Sequence, residues 1–533
     1  MKTPSFFFRI YASVAAAEFL VLGTAHATCN VTFTPGQDLA TIVAKNPPGT
    51  TFCFEPGTYS RQEIVPKDYD SFIALQPRTA ILNGANLLTL FYEEIAAGIT
   101  YWVAAGPSRP GFVTQDACDS THPMCNYPED FFVDDQALLR QASLSAVTAS
   151  GECYFDYADS KIYFLLAPED RPSAHRVEVS STPAAFEGGL NKPPIPPINH
   201  ITVRGLVVEK YAVPASMGAI GGQNPGTGWI IDNNEARYNH GVGLRGRDQA
   251  QITDNYSHHN GQLGVEVSGT CLEKLCFQPQ PAHNVLVQGN EIAYNGYAGL
   301  AYNFGCGGTT FTGTVGLKVR CNYVHDNLCY GLHTDFNNIH TEYAHNLIVN
   351  NQDEGIFHEI SYNVTVYENT IKGNGQKGRG WLYGAQILIG HSPDADIYNN
   401  KIEVAPGGLG NGIAIIQQFR IDPGWYGPHH STHNHVHNNS ITHLGTVGFD
   451  GSGDTYNPFA PADFFIVAAN KFDYNSYHVP DTSLRYWVWE GKGPWKPNRW
   501  STFQGYGQEL DGTVDTNVVP DRTPPGVPAC PGN

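Results

Sequence analysis

The sequence predicts an all-β fold, a right-handed parallel β-helix, from three observations. Asparagine-rich phrases recur along the chain, such as NNEARYNHGVGL, DNYSHHNGQLGV and CNYVHDNLCYGL. Their shortest spacings are 21 to 24 residues, which suits a coil of three short strands and three turns. The 533 residues include 56 Gly and 36 Pro, and only 15% are charged, which favours a turn-dense β protein. The right-handed crossover rule for parallel strands gives the hand.

The recurring asparagines define the coil. Each phrase carries an Asn, a second Asn five residues later, and then a glycine followed by an apolar strand start. Asn at matching turns tolerates left-handed backbone and hydrogen-bonds along the stack, so we expect an asparagine ladder. Leucine-rich repeats need more leucine, and propeller blades are longer. The first Asn of each repeat is at Asn234, Asn255, Asn290, Asn322, Asn346 and Asn369, with looser copies at Asn400 and Asn439.

Composition shifts divide the chain into five expected regions. Residues 1–27 form a signal peptide, with Lys2 and Arg9 before an apolar run and a small-x-small site ending at Ala27. A membrane anchor is the alternative, although the run is short for a span. Residues 28–100 are expected to form a cap and first coils, 101–175 an inserted β module, 176–452 the core, and 453–533 a tail packed on it. The protein is therefore expected to be secreted or periplasmic.

Cysteine usage and charge narrow the possible partners. Eleven cysteines fit an oxidising compartment, and their clustering suggests local bridges, with at least one thiol left over. No CxxC pair is present, which disfavours zinc. The formal charge of −19 argues against nucleic acid and anionic membranes as partners. We expect a monomer. The clusters are Cys29 with Cys53, Cys118 with Cys125, Cys271 with Cys276, and Cys306 near Cys321 and Cys329.

Aligning each strand on its glycine, taken as position zero, places side chains on two faces. The first position is apolar and is expected to face the interior, while the second and fourth face outward. The first column reads Leu244, Val265, Leu300, Leu332, Ile356, Ile413 and Phe449. The second column includes Arg245, Glu266, Ala301, His333 and Phe357, and the fourth includes Arg247, Ser268, Asn303, Asp335 and Glu359.

The fourth column brings two acids together. Asp335 ends GLHTD and Glu359 ends GIFHE in the next coil, so their Cα atoms should be about 4.8 Å apart. Neighbouring carboxylates repel, which a purely structural role does not explain. Carboxyl groups about 5–5.5 Å apart suit a retaining glycosidase, and about 6.5–9.5 Å suits an inverting one. The alternatives are a calcium site and a solvated acidic face.

These two motifs resemble the right-handed β-helix glycoside hydrolases of the β-xylosidase type. The resemblance covers residues 200–452 and implies that Asp335 is the nucleophile and Glu359 the acid/base. His333 stands where that family usually has a tryptophan. The resemblance implies an enzyme acting on a poly- or oligosaccharide, without a cofactor.

Other residues are candidates for binding substrate. His333, Glu266, Asn303 and Arg247 belong to the outward columns and are expected to position a sugar. His358 is also a candidate, although strand alternation points it inward and favours a core role. Five histidines between residues 429 and 437 are an alternative metal cluster. Trp487, Trp489, Trp495 and Trp500 either stack on sugar or pack the tail.

Two other functions remain open at this stage. A polysaccharide lyase or uronan epimerase uses the same fold with a cation, either calcium or a basic side chain, to neutralise a uronate. The coils with the acid pair supply no outward Lys or Arg, which disfavours this function. A glycan-binding solenoid without catalysis is the other alternative, since one fold serves many functions.

Overall fold

The chain folds into a three-sided parallel solenoid. The computed structural model describes residues 28–191, 194–269, 280–302, 305–407, 410–418, 424–454, 469–490 and 497–531. Within these residues the coils build three long parallel sheets, here named sheets A, B and C. The coils between Thr202 and Glu490 contribute to all three sheets, while the first coils contribute only to sheets A and B. The predicted signal peptide, Cys271, Cys276, Asn303 and Trp495 lie outside the described residues.

Short strands make up the three sheets, because each coil must turn again after a few residues. Sheet A contains Val31–Phe33, Thr51–Phe54, Ser71–Ala74, Thr202–Arg204, Ile230–Asp232, Gln251–Thr253, Ala282–His283, Leu286–Gln288, Thr314–Val315, Lys318–Arg320, Ile339–Ala344, Tyr362–Tyr367, Asp396–Tyr398, His435–His437 and Lys471–Asp473. Sheet B contains Gly57–Ser60, Ala80–Asn83, Val207–Glu209, Glu235–Arg237, Tyr256–His258, Glu291–Ala293, Tyr323–His325, Leu347–Val349, Thr370–Lys372, Lys401–Val404, Ser440–His443, Ser476–His478 and Thr513–Asp515. Sheet C contains Gly218–Ile220, Val242–Gly246, Leu263–Ser268, Gly307–Thr312, Leu332–Asp335, Ile356–Glu359, Ala385–Gly390, Asn411–Gln417, Asp450–Asp454 and Trp487–Glu490.

The predicted asparagine ladder is confirmed. From Asn234 to Asn475, each Asn donates its Nδ2 to the Oδ1 of the Asn in the next coil at 2.9–3.1 Å. A second ladder follows the other Asn of each phrase, from Asn239 to Asn374, at 2.8–3.0 Å. Both ladders are buried, so they satisfy polar groups that would otherwise be costly inside the solenoid.

The two ends of the solenoid are capped by short helices. Helix α1 (Leu39–Lys45) covers the first coils, and the Asp38 carboxylate caps it by accepting from Thr41 N. Helix α2 (Trp500–Gly505) buries Phe503 against the last coils. The repeat does not end at residue 452 as expected, because sheet A continues to Asp473, sheet C to Glu490 and sheet B to Asp515. The sequence feature that indicates this further coil is the pair Asn470 and Asn475, which are five residues apart like the asparagines of the other repeats.

The inserted module is mainly antiparallel, with one parallel pair between Leu139–Arg140 and Glu152–Asp156, and it is wider than the expected 101–175. It interrupts a coil between Ala80–Asn83 and Thr202–Arg204. Its strands form two small sheets. The short 3₁₀ turn Leu144–Ala146 joins two strands of one sheet, and Pro172–Ala174 lies in the connection between the two sheets. One sheet contains Ala85–Leu88, Phe131–Val133, Gln136–Ala137 and Val177–Ser180, and the other Tyr92–Ala96, Ile99–Ala105, Leu139–Arg140, Glu152–Asp156 and Lys161–Phe164. Leu190–Asn191 and Pro194–Ile195 form a hairpin beyond it.

Disulfides fasten the outer parts of the fold. The predicted pairs Cys29–Cys53 and Cys118–Cys125 are present, and Cys306 pairs with Cys329. Cys321 pairs with Cys530, which ties the end of the chain to the solenoid. Among the described residues Cys153 is unpaired, and burial raises the pKa of its thiol to about 12. No helix in the described parts of the chain combines the length and apolarity that a membrane crossing needs.

Candidate active site

Asp335 and Glu359 lie side by side on the outer face of sheet C. The register pairs Thr334 with His358, so the next residues, Asp335 and Glu359, occupy neighbouring positions about one strand spacing, ~4.8 Å, apart at Cα. Both side chains are partly exposed, whereas Thr334 and His358 are buried on the inner face. The predicted alternation of the two faces is therefore correct in these coils.

The glycine-based alignment of the sequence misplaced the strands of two other coils. Thr312, not Asn303, precedes Asp335 in the fourth column, because the strand of that coil begins at Gly307. Leu300 instead forms an isolated antiparallel bridge with Cys118 of the inserted module. In the last aligned coil the interior column contains Asp450 rather than Phe449. Ala414 pairs with Gly451, so the preceding residue Ile413, which belongs to the interior column, is opposite Asp450. When one coil contains two glycines that could each begin the strand, the sequence alone does not show which of them does; the strand pairing in the structure is needed.

The second outward column is not open to solvent. His333 and Phe357 are 4% and 1% exposed, because an apolar layer covers this part of sheet C. The His333 ring stacks between Tyr330 and Phe357, with centroids 4.2 and 5.2 Å away. A ligand can therefore approach Asp335 and Glu359 along the fourth column, with the apolar layer as one wall.

Two imidazoles flank Glu359. His391 Nδ1 lies 3.7 Å from Oε1 of Glu359, and His333 Nε2 lies 3.9 Å from Oε2. These separations are longer than a hydrogen bond, so a small movement would bring either ring into bonding distance. His391 is fully buried in the turn after Gly390. The sequence alignment missed His391 because it follows the strand rather than belonging to an outward column.

A hydroxyl ladder fixes the ends of the acid-bearing strands. Asn338 donates to the Asp335 carbonyl at 2.8 Å and to Ser361 Oγ at 3.0 Å. Ser361 Oγ donates to the Glu359 carbonyl at 2.7 Å, and Ser392 Oγ donates to the Gly390 carbonyl at 2.8 Å. The backbone under both acids is therefore held by side chains of successive coils, which limits movement of the two carboxylates relative to each other.

A buried acid lies behind the apolar layer. Glu354 accepts from Gly384 N at 2.7 Å and from the Tyr302 hydroxyl at 3.2 Å. Burial raises the pKa of Glu354 to about 7, with a further contribution from Asp353. Burial also raises the pKa of Tyr330 well above its usual range, and the negative charges of Glu354, Glu359 and Asp335 add to this. The Tyr330 hydroxyl therefore stays protonated and donates to the Tyr302 carbonyl at 3.1 Å.

A loop after sheet C closes the far side of the site. Asn337 lies two residues after Asp335, and its Oδ1 accepts from Trp425 N at 2.9 Å. The same oxygen lies 3.2 Å from His429 Nε2. The Tyr362 hydroxyl donates to the Gly427 carbonyl at 2.6 Å. Residues 424–429 thus form a polar and aromatic wall beside the acids.

Comparisons with known proteins agree with this fold. The family model described as "Right handed beta helix region" matches residues 219–402. The solved structure of XylC in complex with xylose superposes with a TM-score of 0.63 at 14% identity, covering 91% of this chain and 83% of that chain. The fold is a right-handed parallel β-helix.

Two further structures resemble this β-helix. The A-module of the Azotobacter vinelandii mannuronan C-5 epimerase AlgE4 has a TM-score of 0.40 at 10% identity, covering 90% of this chain and 91% of that chain. A structure titled "Glycoside hydrolase" has a TM-score of 0.41 at 9% identity, covering 79% of this chain and 91% of that chain. No curated protein sequence matches the chain.

The remaining predicted site residues lie in different parts of the β-helix. Glu266 is buried beside Arg245, with 3.2 Å between its Oε1 and the guanidinium, and burial raises its pKa. Arg247 is three strands from Asp335 in the fourth column, about 14 Å away, and donates to Asn224 at 3.0 Å. His358 lies on the inner face and is fully buried, with Nδ1 2.7 Å from Thr334 Oγ1, so it has a core position away from the outer face where substrate would bind.

The histidine cluster and the tail tryptophans have structural contacts. His437 Nε2 lies 2.9 Å from Asp396, while His429 packs on Tyr362, so the rings do not converge. Among the described residues no group of three or more His, Cys, Asp or Glu could hold a metal ion. Trp487 is fully buried, with its ring centroid 4.9 Å from that of Trp500, so both pack the C-terminal end of the core.

Proposed function

We propose that this protein is a secreted glycoside hydrolase that cleaves poly- or oligosaccharides with retention of configuration. The observation that carries the proposal is the adjacency of Asp335 and Glu359 on one accessible face of sheet C. Two acids in such a position perform the two tasks of glycoside cleavage, attack on the anomeric carbon and protonation of the leaving oxygen. The disulfides fit the oxidising compartment that secretion implies.

In the proposed mechanism Asp335 acts as the nucleophile. Its carboxylate attacks the anomeric carbon and forms a glycosyl ester, while Glu359 gives its proton to the departing oxygen. The Glu359 carboxylate then takes a proton from water, and that water attacks the anomeric carbon and releases Asp335. His391 and His333 are positioning residues in this scheme, since their rings lie on either side of the Glu359 carboxyl.

The shape of the site supports a sugar ligand. Aromatic side chains on one side of the acids and the 424–429 wall on the other offer apolar faces beside hydrogen-bonding groups. The fold match to XylC, whose structure was solved with xylose, makes aryl xylosides the first substrates to test.

The test compares two single variants on substrates with different leaving groups. Asp335→Asn is expected to lower turnover of every glycoside by about four orders of magnitude or more, because no covalent intermediate forms. Glu359→Gln is expected to lose turnover of natural saccharides. With activated aryl glycosides, whose leaving group needs no proton, it should keep the first step, seen as a burst of released aryl alcohol, while hydrolysis of the glycosyl ester slows because the attacking water has lost its base. Asp396→Asn, an exposed acid on sheet A, is the matched control. Full rates for both site variants would exclude these acids as catalysts.

Product analysis separates this proposal from its rivals. NMR of the first-formed anomer should show retention, whereas inversion would require a water-sized gap between the acids. Absorbance of unsaturated product from alginate or pectate, with and without chelator, would instead indicate a lyase. Saccharide binding without any turnover would indicate a binding solenoid.

A further inference from the structure

A second cleft lies between the inserted module and the corner where sheet B turns into sheet C. Its volume is about 200 Å³, and neither Asp335 nor Glu359 lines it. The module contributes Tyr127, Asp130 and Arg140, and the β-helix contributes Tyr238 and Tyr297. The mechanism proposed above uses none of these residues.

The charged groups in this cleft are paired with other protein groups. Asp130 lies 3.0 Å from His240 Nδ1 and accepts from the Tyr297 hydroxyl at 2.7 Å. Arg140 lies 3.5 Å from the Glu129 carboxylate, yet its Nε is buried without a hydrogen-bond partner. The cleft therefore offers polar contacts but little free charge, which suits a neutral ligand rich in hydroxyl groups.

A row of rings leads out of the cleft along the β-helix axis. Tyr238, His259 and Tyr294 occupy the same turn position in three consecutive coils. Their ring centroids are 5.4 and 4.9 Å apart, and Tyr294 is 41% exposed. Burial, with a smaller effect of His258, lowers the pKa of His259 to about 4, so this ring is neutral at neutral pH. We call these three residues the ring ladder.

The turn does not itself require rings at the positions of the ring ladder. All three have positive φ, between 50° and 57°, a region that Asn, Asp and Gly enter most readily. The next two coils place Asp326 and Asn350 at this position, with φ of 52° and 56°. Aromatic and imidazole rings thus stand where the turn itself favours small polar residues.

We propose that the cleft and the ring ladder form a second carbohydrate-binding surface, which holds a strand of neutral polysaccharide along the β-helix axis. The rings of the ladder pack against one another, with 28° between the planes of His259 and Tyr294, so the ladder forms a continuous aromatic ridge with the exposed ring of Tyr294 at its end. An exposed aromatic ring packs on the apolar face of a sugar, and the ridge runs along the direction of an extended chain. The hydroxyl and guanidinium groups of the cleft bind sugar hydroxyls at one end. This surface is separate from the site of bond cleavage and retains the polymer during hydrolysis.

Affinity electrophoresis tests the proposal in the Asp335→Asn/Glu359→Gln double variant, which removes turnover. The probes are xylan and a neutral β-glucan, with polygalacturonate as the anionic comparison. We expect retardation by at least one neutral polymer and none by polygalacturonate. Adding Tyr238→Asn and Tyr294→Asn should weaken the binding at least tenfold, since Asn suits the turn but lacks the ring.

Tyr474→Asn is the matched control, because Tyr474 is 55% exposed with φ of 58° on a different turn. It should leave retardation unchanged. Unchanged binding in the ring ladder variant, or no retardation by either neutral polymer, overturns the proposal. Tyr294→Asn alone, checked by thermal melting, covers the case in which the combined variant does not fold. Aryl glycoside turnover by Tyr238→Asn/Tyr294→Asn in the otherwise unchanged chain should equal that of the parent, which separates this surface from the catalytic proposal.

Discussion

The two faces of sheet C hold acids in opposite situations. On the inner face Asp450 is fully buried, accepts from Ile413 N at 2.7 Å and lies 2.7 Å from His443 Nε2. On the outer face Asp335 and Glu359 are partly exposed neighbours, and the rings beside Glu359 are more than 3.5 Å away. The same residue types in one sheet thus serve a structural role when bonded inside and suit chemistry when grouped outside.

The largest expected effect is a difference in the free energy of unfolding between a variant of the inner face and a variant of the outer face. Asp450→Ala leaves His443 and Ile413 N without their buried partner and is expected to cost about 3–5 kcal/mol. Asp335→Asn should leave the melting temperature equal or higher, because it removes repulsion between neighbouring carboxylates. Thermal and urea denaturation measure both. A large loss of stability in Asp335→Asn would mean that the outer acid is structural.

The next effect concerns pH and Glu354. Its pKa is raised to about 7 by burial, so the folded state holds a proton that the unfolded chain has released above its ordinary pKa. Stability from this group should therefore fall by about 3 kcal/mol as pH rises from 4.5 to 7. Melting temperatures across this range should show the decrease, and Glu354→Gln should reduce it. An unchanged slope in that variant would show that Glu354 is ionised in the folded protein.

His358, on the inner face, should make stability rise with pH, the opposite of the effect of Glu354. Burial lowers its pKa to about 3, so the unfolded chain binds a proton that the folded protein does not. Its contribution should destabilise the fold by about 2 kcal/mol at pH 5 relative to pH 7. His358→Gln should flatten this part of the curve while the KM for aryl glycosides stays constant. A raised KM would restore His358 as a substrate-binding residue.

The smallest effect should come from His391 on the outer side. His391→Asn keeps a residue suited to the positive φ of 54° but removes the imidazole beside Glu359. We expect kcat to fall about tenfold with KM unchanged, because the acid loses a positioning group rather than a substrate contact. Steady-state kinetics on a saccharide with a poor leaving group give this split. An effect on KM alone would make His391 a binding residue instead.

The repeating coil could be predicted from the sequence, but the positions where insertions interrupt it could not. The paired asparagines, the strand alternation and the Asp335–Glu359 register were all readable, because one position recurs at each turn of a regular stack. Asn303 was misaligned because the insertion before Gly307 offers a competing glycine. The sequence pattern predicts a separately packed tail, because long connections separate Asn470 and Asn475 from the earlier repeats, whereas the strands of the tail continue all three sheets.

Local pattern alone determined the solenoid, since each coil repeats the same short-range choices of turn, strand and buried polar contact. It also placed two acids in one column. Only the tertiary structure decided that the second column is covered while Asp335 and Glu359 in the fourth stay partly exposed, that His391 approaches Glu359, and that the inserted module creates a cleft with Tyr238 and Tyr297. Those contacts join segments distant in sequence, where no periodicity indicates which side chains will meet.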